Sequence, residues 1–411
     1  MALLRAADPL ALALGLALAF LVLAVRADAA TLLREADLII DSEFPGGNLL
    51  IDRVQGDRVF LCQDVRDTRG TWFWWHFRVR GAAGRTLTFA FTKGNVIGVR
   101  GPAVSTDGGR TWAWLGKEAV KGASFTDTFA PDADKVRFCF AMPYFEADLR
   151  RFLGRFEGDP HLKADTLCTT RKGRKTERLH AGQLNGEPDH RVLVTCRHHC
   201  CECMASYALE GLVETILTGE DAGKWLREHV ELLAIPFMDK DGVEDGDQGK
   251  NRKPHDHNRD YGDKPIYPAV RAIKRLVPEW SGGKLRLALD LHCPWIRGGH
   301  NEVIYLVGSP DARIWHEQQR FGQTLERVLA GPLKYRAADN LPFGKSWNTA
   351  RNFADGLSFS RWAAGLPGIV LATTIEIPYA NASGCEVNPA SARAFGHDLA
   401  KAIRAYLGQL P

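Results

Sequence analysis

Val192-Leu193-Val194-Thr195-Cys196-Arg197-His198-His199-Cys200-Cys201-Glu202 is the stretch on which the reading of the chain turns. The apolar run Val192–Val194 reads as a buried strand. Beyond Glu202, the residues Met204, Leu209, Leu212, Val213, Ile216 and Leu217 recur at three-to-four spacing, the signature of a helix. A strand end that opens into a helix is where sheet proteins place reactive groups. At that corner His199 and Glu202 form an H-x-x-E pair, so an imidazole and a carboxylate can face one point. Both suit zinc. A catalytic zinc takes three protein ligands and keeps a fourth position for water, so this stretch calls for a third ligand elsewhere.

Two further strand ends answer it. Leu285–Leu291 alternates and then runs apolar, with Asp290 near its end and His292 directly after. Ile369-Val370-Leu371-Ala372 runs into Thr373-Thr374-Ile375-Glu376, and Asn258-Arg259 lies between the first two strands. H-x-x-E alone is a weak signal. The ordered set of H-x-x-E, Asn-Arg, a strand-terminal His and a strand-terminal Glu is far more specific, and it resembles the zinc carboxypeptidase family.

The resemblance implies an α/β/α domain with a mixed sheet and one zinc ion per chain, held by His199, Glu202 and His292. Zinc lowers the pKa of its water to about 7. Glu376 would take that water's proton and deliver it to the leaving amine. Asn258 and Arg259 would bind the substrate's terminal carboxylate, which a guanidinium fork matches with two hydrogen bonds. The family's oxyanion-stabilising arginine lies upstream of the Asn-Arg pair. Arg252 is its best match, with Lys250 and Lys253 as rivals. The implied partners are peptide or protein C-termini. Two departures stand out. No tyrosine lies between Tyr335 and Tyr379, where many members carry one on a mobile loop, and Cys200-Cys201 stands where members commonly have Pro-Gly.

The chain has 411 residues, enough for two or three domains, and is 45% hydrophobic, as a globular protein is. A net charge of +4 gives no reason to expect a nucleic-acid partner. Leu10–Val25 is an unbroken run of small and apolar residues, short for a membrane span of about 20 residues. With Ala27-Asp28-Ala29 as a cleavage site, residues 1–29 read as a signal peptide of a secreted or periplasmic protein, or as an uncleaved membrane anchor. The nine cysteines form an odd count, which leaves at least one unpaired thiol in a monomer. Cys196, Cys200, Cys201 and Cys203 have no second ligand pair at similar spacing, which argues against a structural zinc knuckle. A disulfide from this cluster to Cys293 stays open.

Residues 30–145 read as an antiparallel β-sandwich. Phe73, Trp75, Phe77 and Val79 alternate with Trp74, His76, Arg78 and Arg80. Leu87, Phe89 and Phe91 alternate likewise, as do Val136, Phe138 and Phe140. The tract Trp72–Arg80, the Ser-x-Asp-Gly-Gly-x-x-Trp segment at Ser105–Trp112 and Pro143-Tyr144 resemble the N-terminal sandwich of the cytosolic carboxypeptidases, the branch that includes tubulin deglutamylases. The second face of the 73–80 strand could bind carbohydrate or protein; the favoured reading has the sandwich pack on the catalytic domain and wall its cleft. Residues 146–411 form the catalytic domain, with helices expected near 203–218, 266–277, 311–330 and 390–408 and a long functional loop over Asp239–Asp263. Two other readings remain: a related zinc amidohydrolase of the N-acyl amino acid deacylase kind, and a binding protein with an inert second domain.

Overall fold

The computed structural model describes residues 32–35, 38–218 and 221–410. The leader or anchor read over residues 1–29 lies outside these. Among the described residues no helix is long and apolar enough to cross a membrane.

The alternating N-terminal region folds into strands β1 (Leu32–Glu35), β2 (Leu38–Asp41), β3 (Leu50–Gln55), β4 (Arg58–Cys62), β5 (His76–Arg80), β6 (Thr86–Phe91), β7 (Ala103–Ser105), β8 (Ala113–Trp114), β9 (Val120–Lys121), β10 (Ser124–Thr128) and β11 (Lys135–Cys139). They form two sheets, ordered β1-β2-β5-β11-β7-β8 and β3-β4-β6-β10-β9. The pairing is antiparallel apart from β4 and β6, which run parallel. Inward rings fill the space between the sheets: Phe77 lies 5.1 Å from Phe89, and Phe125 is 5.0 Å from Phe89 and 5.2 Å from Phe138. Ser105 and Asp107 tie the turn after β7, where the Asp107 carboxylate accepts from Arg110 N and Thr111 N.

The second face of β5 is not free. Trp74 and His76 are fully buried. Trp74 Nε1 donates to Gly46 O at 3.1 Å, its backbone N–H donates to Gln248 Oε1 at 2.6 Å, and His76 stacks on Phe145 with ring centroids 5.8 Å apart. This face carries the contact with the second half of the chain and is closed to an external partner. Further bonds fasten the two halves together, including Asn48 Nδ2 to Gly246 O at 2.7 Å and Trp114 Nε1 to Val387 O at 2.9 Å.

The second half holds helices α1 (Glu146–Leu153), α2 (Cys203–Thr218), α3 (Asp221–His229), α4 (Lys240–Asp245), α5 (Pro268–Ser281), α6 (Ala312–Val328), α7 (Phe359–Ala363) and α8 (Pro389–Leu407). Its sheet is built from β12 (Leu162–Thr169), β13 (Lys175–Gly182), β14 (His190–Cys196), β15 (Val230–Ile235), β16 (Leu285–His292), β17 (Tyr305–Val307) and β18 (Leu371–Glu376), in the order β12-β13-β15-β14-β16-β18-β17. The four central strands are parallel and the flanking ones antiparallel. Side chains alternate between two apolar layers. Val192 and Val194 join Leu212, Phe395 and Leu399 from α2 and α8, whereas Leu193 joins Val270, Ile273 and Phe359 from α5 and α7. Gly211 and Gly396 let α2 and α8 meet backbone to backbone, since a Cβ at either would lie 2.0 Å from a carbonyl oxygen of the other helix. The segment 239–263, expected as a loop, contains α4. The hairpin β12–β13 was not foreseen.

Candidate metal centre and active site

The parallel strands β14, β16 and β18 end side by side, and their C-terminal ends carry the site. After β14, Arg197 takes a left-handed conformation (φ +62°) that turns the chain sharply. Its buried guanidinium fills the turn from inside, donating to Cys200 O at 2.9 Å, Tyr144 O at 3.0 Å and Ser206 Oγ at 3.1 Å. A non-glycine residue held in this region costs about 1–3 kcal/mol and persists where the surroundings fix it. Here the fixed turn presents His199 and Glu202 before α2 begins.

His199, Glu202 and His292 come together, with one ligand atom from each within 4.8 Å of the others. His199 Nδ1 is 3.0 Å from Glu202 Oε1, and His292 Nδ1 stands 2.7 Å from Glu202 Oε2. The second contact is out of hydrogen-bond alignment, so the buried Oε2 has no hydrogen-bond partner. Each histidine is backed by a carboxylate on its other nitrogen: His292 Nε2 lies 2.6 Å from Asp290 Oδ2, and His199 Nε2 lies 3.6 Å from Asp256 Oδ1. Carboxylates in that position orient metal-binding imidazoles and raise their basicity. A buried carboxylate with one unpartnered oxygen, flanked by two such imidazoles, one at each oxygen, is a donor set that suits zinc. A second cluster, His198, Asp290 and His292, is also close enough. There, however, both His198 nitrogens are engaged at 2.7 Å, by Asp290 and by Tyr261.

The charges reinforce one another. Burial pushes Glu202 up, but His292, Lys250 and His199 outweigh it and hold the carboxyl well below its usual range. Burial pushes His292 down, but Asp290 and Glu202 raise it well above an ordinary imidazole. Glu376 differs. Burial raises it, against the pull of His292 and Lys250, and its Oε2 has no hydrogen-bond partner.

His199, His292 and Glu376 line a cavity of about 290 Å³ with Asn258, Arg259, Lys250, Tyr305 and Trp347. Asn258 Nδ2 is 3.2 Å from His292 Nε2, and its Oδ1 accepts from Phe359 N. Arg259 donates to Asn352 O and Asn258 O, rests on the Phe353 ring, and has no carboxylate within salt-bridge distance among the described residues.

Arg252 is not brought here. It lines a different cavity, where its guanidinium lies 2.6 Å from Asp247, 3.1 Å from Asp239 and 3.5 Å from Asp67. Of the three cations considered, Lys250 lines this cavity. Its buried ammonium is 2.7 Å from Glu202 Oε1 and donates to Cys293 O at 3.1 Å. Burial pushes Lys250 down, but Glu202 and Glu376 keep it charged. Tyr305 on β17 is the one tyrosine lining the cavity among the described residues. It pairs in register with Glu376, and its hydroxyl accepts from Trp347 Nε1 at 3.3 Å. The nine cysteines are all free thiols. Burial raises Cys200 and Cys201, the latter to about 12, so neither is a ready thiolate.

No family model matches the chain. The cytosolic carboxypeptidase 6 of Caenorhabditis elegans is 22% identical over 332 residues, covering 72% of this chain and 70% of the worm protein. The cytosolic carboxypeptidase 2 of Xenopus tropicalis is 27% identical over 180 residues, 40% of this chain but 19% of the frog protein. The crystal structure of a metallo-carboxypeptidase from Burkholderia cenocepacia superposes with a TM-score of 0.72 at 21% identity, covering 90% of this chain and 99% of that one. The chain thus has the metallocarboxypeptidase fold, with sequence kinship to the cytosolic carboxypeptidase type.

Proposed function

We propose that this chain, with the fold of the metallocarboxypeptidases and a convergent His/Glu/His donor set, is a zinc-dependent carboxypeptidase that hydrolyses the last peptide bond of its substrate. The observation that carries the reading is that the cavity lined by His199 and His292, two members of the His199/Glu202/His292 donor set, is also lined by Glu376 and by an Arg259 with no carboxylate within salt-bridge distance among the described residues. Zinc, when bound by His199, Glu202 and His292, supplies Lewis acidity and an acidified water. Glu376 Oε2 accepts the proton and passes it to the leaving amine. Its buried setting favours the protonated form and so suits a group that must both take and give a proton. The Lys250 ammonium, held beside Glu202, stabilises the negative charge that develops on the scissile carbonyl oxygen. Arg259 and Asn258 hold the terminal carboxylate. Tyr305 and Trp347 wall the cavity and exclude water. The test is digestion of a peptide by zinc-loaded protein, followed by mass spectrometry: loss of single C-terminal residues supports the reading, and intact peptide refutes it. Release of an N-acyl group with the peptide chain uncut would favour the deacylase.

A further inference from the structure

The sequence left the sandwich's contribution to the site undefined. Trp72 comes from the sandwich and Trp295 from the segment just after His292, yet both line the cavity that holds the donor set. Trp295 is 40% exposed, one of two large hydrophobic side chains so open among the described residues. The rings pack edge to face at 4.9 Å, and Phe73 lies 5.0 Å from Trp295. The pair is held in place. Trp72 Nε1 donates to Arg69 O at 3.0 Å, Trp295 N donates to Asn301 Oδ1 at 3.3 Å, and Arg297 clips the Trp295 segment to the sandwich by donating to Ile97 O at 3.0 Å.

Direct contacts put the cavity in order. Arg259 touches Asn258, Asn258 touches His292, His292 touches Glu202, and Glu202 touches Lys250. The Lys250 ammonium stands 5.4 Å over the Trp72 ring, and Trp72 touches Trp295. The tryptophans thus adjoin the metal donors through Lys250, whereas the carboxylate anchor adjoins them through Asn258. A peptide whose C-terminus sits on Arg259 runs its acyl side toward the tryptophans.

We infer that Trp72 and Trp295 form an aromatic subsite, half of it built by the β-sandwich, that binds an apolar and preferably aromatic side chain immediately upstream of the bond cut. This rests on the carboxypeptidase reading. An aromatic side chain there gains both burial and edge-to-face contacts, which a glycine cannot.

The test uses the full zinc-loaded chain and two blocked dipeptides with the same C-terminal residue, one with phenylalanine and one with glycine before it. The phenylalanine substrate is expected to have a kcat/KM about tenfold or more higher. In Trp295→Ala that ratio is expected to fall below about threefold, and in Trp295→Phe to recover in part. Calorimetric titration of both peptides into the Glu376→Gln variant should give the same preference without turnover. A ratio near one in the unaltered protein, or one unchanged in Trp295→Ala, overturns the subsite and leaves the carboxypeptidase reading standing. No release of the C-terminal residue from either peptide overturns both.

Discussion

His292 and Glu376 are directly paired across the neighbouring parallel strands β16 and β18. Adjacent strands lie about 4.8 Å apart, so the sheet itself fixes the distance between a metal donor and the proposed base. Tyr305 flanks Glu376 on its other side, from antiparallel β17. Glu376→Gln keeps this packing and removes the titrating oxygen. It should retain zinc while turnover falls by about 10²–10⁴-fold. Metal analysis alongside steady-state kinetics checks both halves. Near-normal turnover would move the base role to another carboxylate.

The donor set makes a prediction of its own. Purified protein should take up about one zinc per chain, as an open three-ligand site does. His199→Ala and His292→Ala should each lose it. Asp290→Asn should bind zinc about 10–100-fold more weakly, because Asp290 orients His292 without being a donor in the set. Equilibrium dialysis against a competing chelator measures all three. Full retention in both histidine variants would sink the assignment.

Lys250 and Arg252 are two residues apart and are predicted to differ in kind. Lys250→Ala removes the fixed cation beside Glu202, and turnover should fall by about 10²–10³-fold with folding largely retained. Arg252→Ala leaves buried Asp239 without its guanidinium and Asp247 with Arg66 alone, and should instead destabilise the fold, by about 3–5 kcal/mol if the group behaves as a buried ion pair. Thermal melts and kinetics on the two variants separate these outcomes. A stable, inactive Arg252→Ala would reverse the assignment.

The contrast between these two residues marks the limit of what the sequence discloses. H-x-x-E, the strand-terminal histidine and the strand-terminal glutamate were legible because each depends on local pattern: an apolar strand, then the polar group at its end. Asp290 carried a readable signal as well, since positions two apart on a strand share a face. Which cation enters the cavity was not legible. That choice follows from α4, which folds inside the supposed loop and lies between Asp239 and Asp247, and from Asp67, which reaches Arg252 from the distant sandwich. The second face of β5 left two readings open, of which the favoured one, packing against the second half of the chain, is what the contacts show. Trp74 and His76 look solvent-facing by alternation, and the surface that buries them is supplied by Phe145 and Gln248. The hairpin β12–β13 was hidden by its polar sequence, since much of β12 is open to solvent.

In the sandwich, Asp41 is buried between Arg78 at 2.7 Å and Arg80 at 2.8 Å. Burial pushes its carboxyl up, but the two guanidiniums outweigh it and hold it below the usual range. A carboxyl depressed in the folded state stabilises the fold above its unfolded pKa of about 3.9, and the contribution disappears as pH falls through the lower native value. Asp41→Asn should therefore cost about 1–3 kcal/mol at neutral pH. The gap between the variant and the unaltered protein should close below about pH 4. Urea unfolding across that pH range tests the sign: a gap that widens in acid contradicts it.

The last prediction concerns which end of the substrate is read. Arg259 lines the same cavity as the donor set, its guanidinium rests on Phe353, and carbonyl oxygens of Asn258 and Asn352 are its only hydrogen-bond partners among the described residues. A cation so placed, with Asp256 near enough to feel its charge but no carboxylate within salt-bridge distance among the described residues, can take an anionic ligand. A free α-carboxylate offers two oxygens to the guanidinium, and charge-assisted contacts of this kind contribute about 1.5–3 kcal/mol each. That energy is available only when the bond to be cut is the last one in the chain, which under the carboxypeptidase reading would confine cleavage to that bond. A peptide with a free C-terminus should be trimmed one residue at a time. The same peptide ending in an amide should be cut at least about tenfold more slowly, since about 1.4 kcal/mol is a factor of ten. Arg259→Ala should slow both substrates and remove the difference between them. Equal cleavage of the free and amidated peptides by the unaltered protein would rule out the carboxypeptidase reading and favour the amidohydrolase.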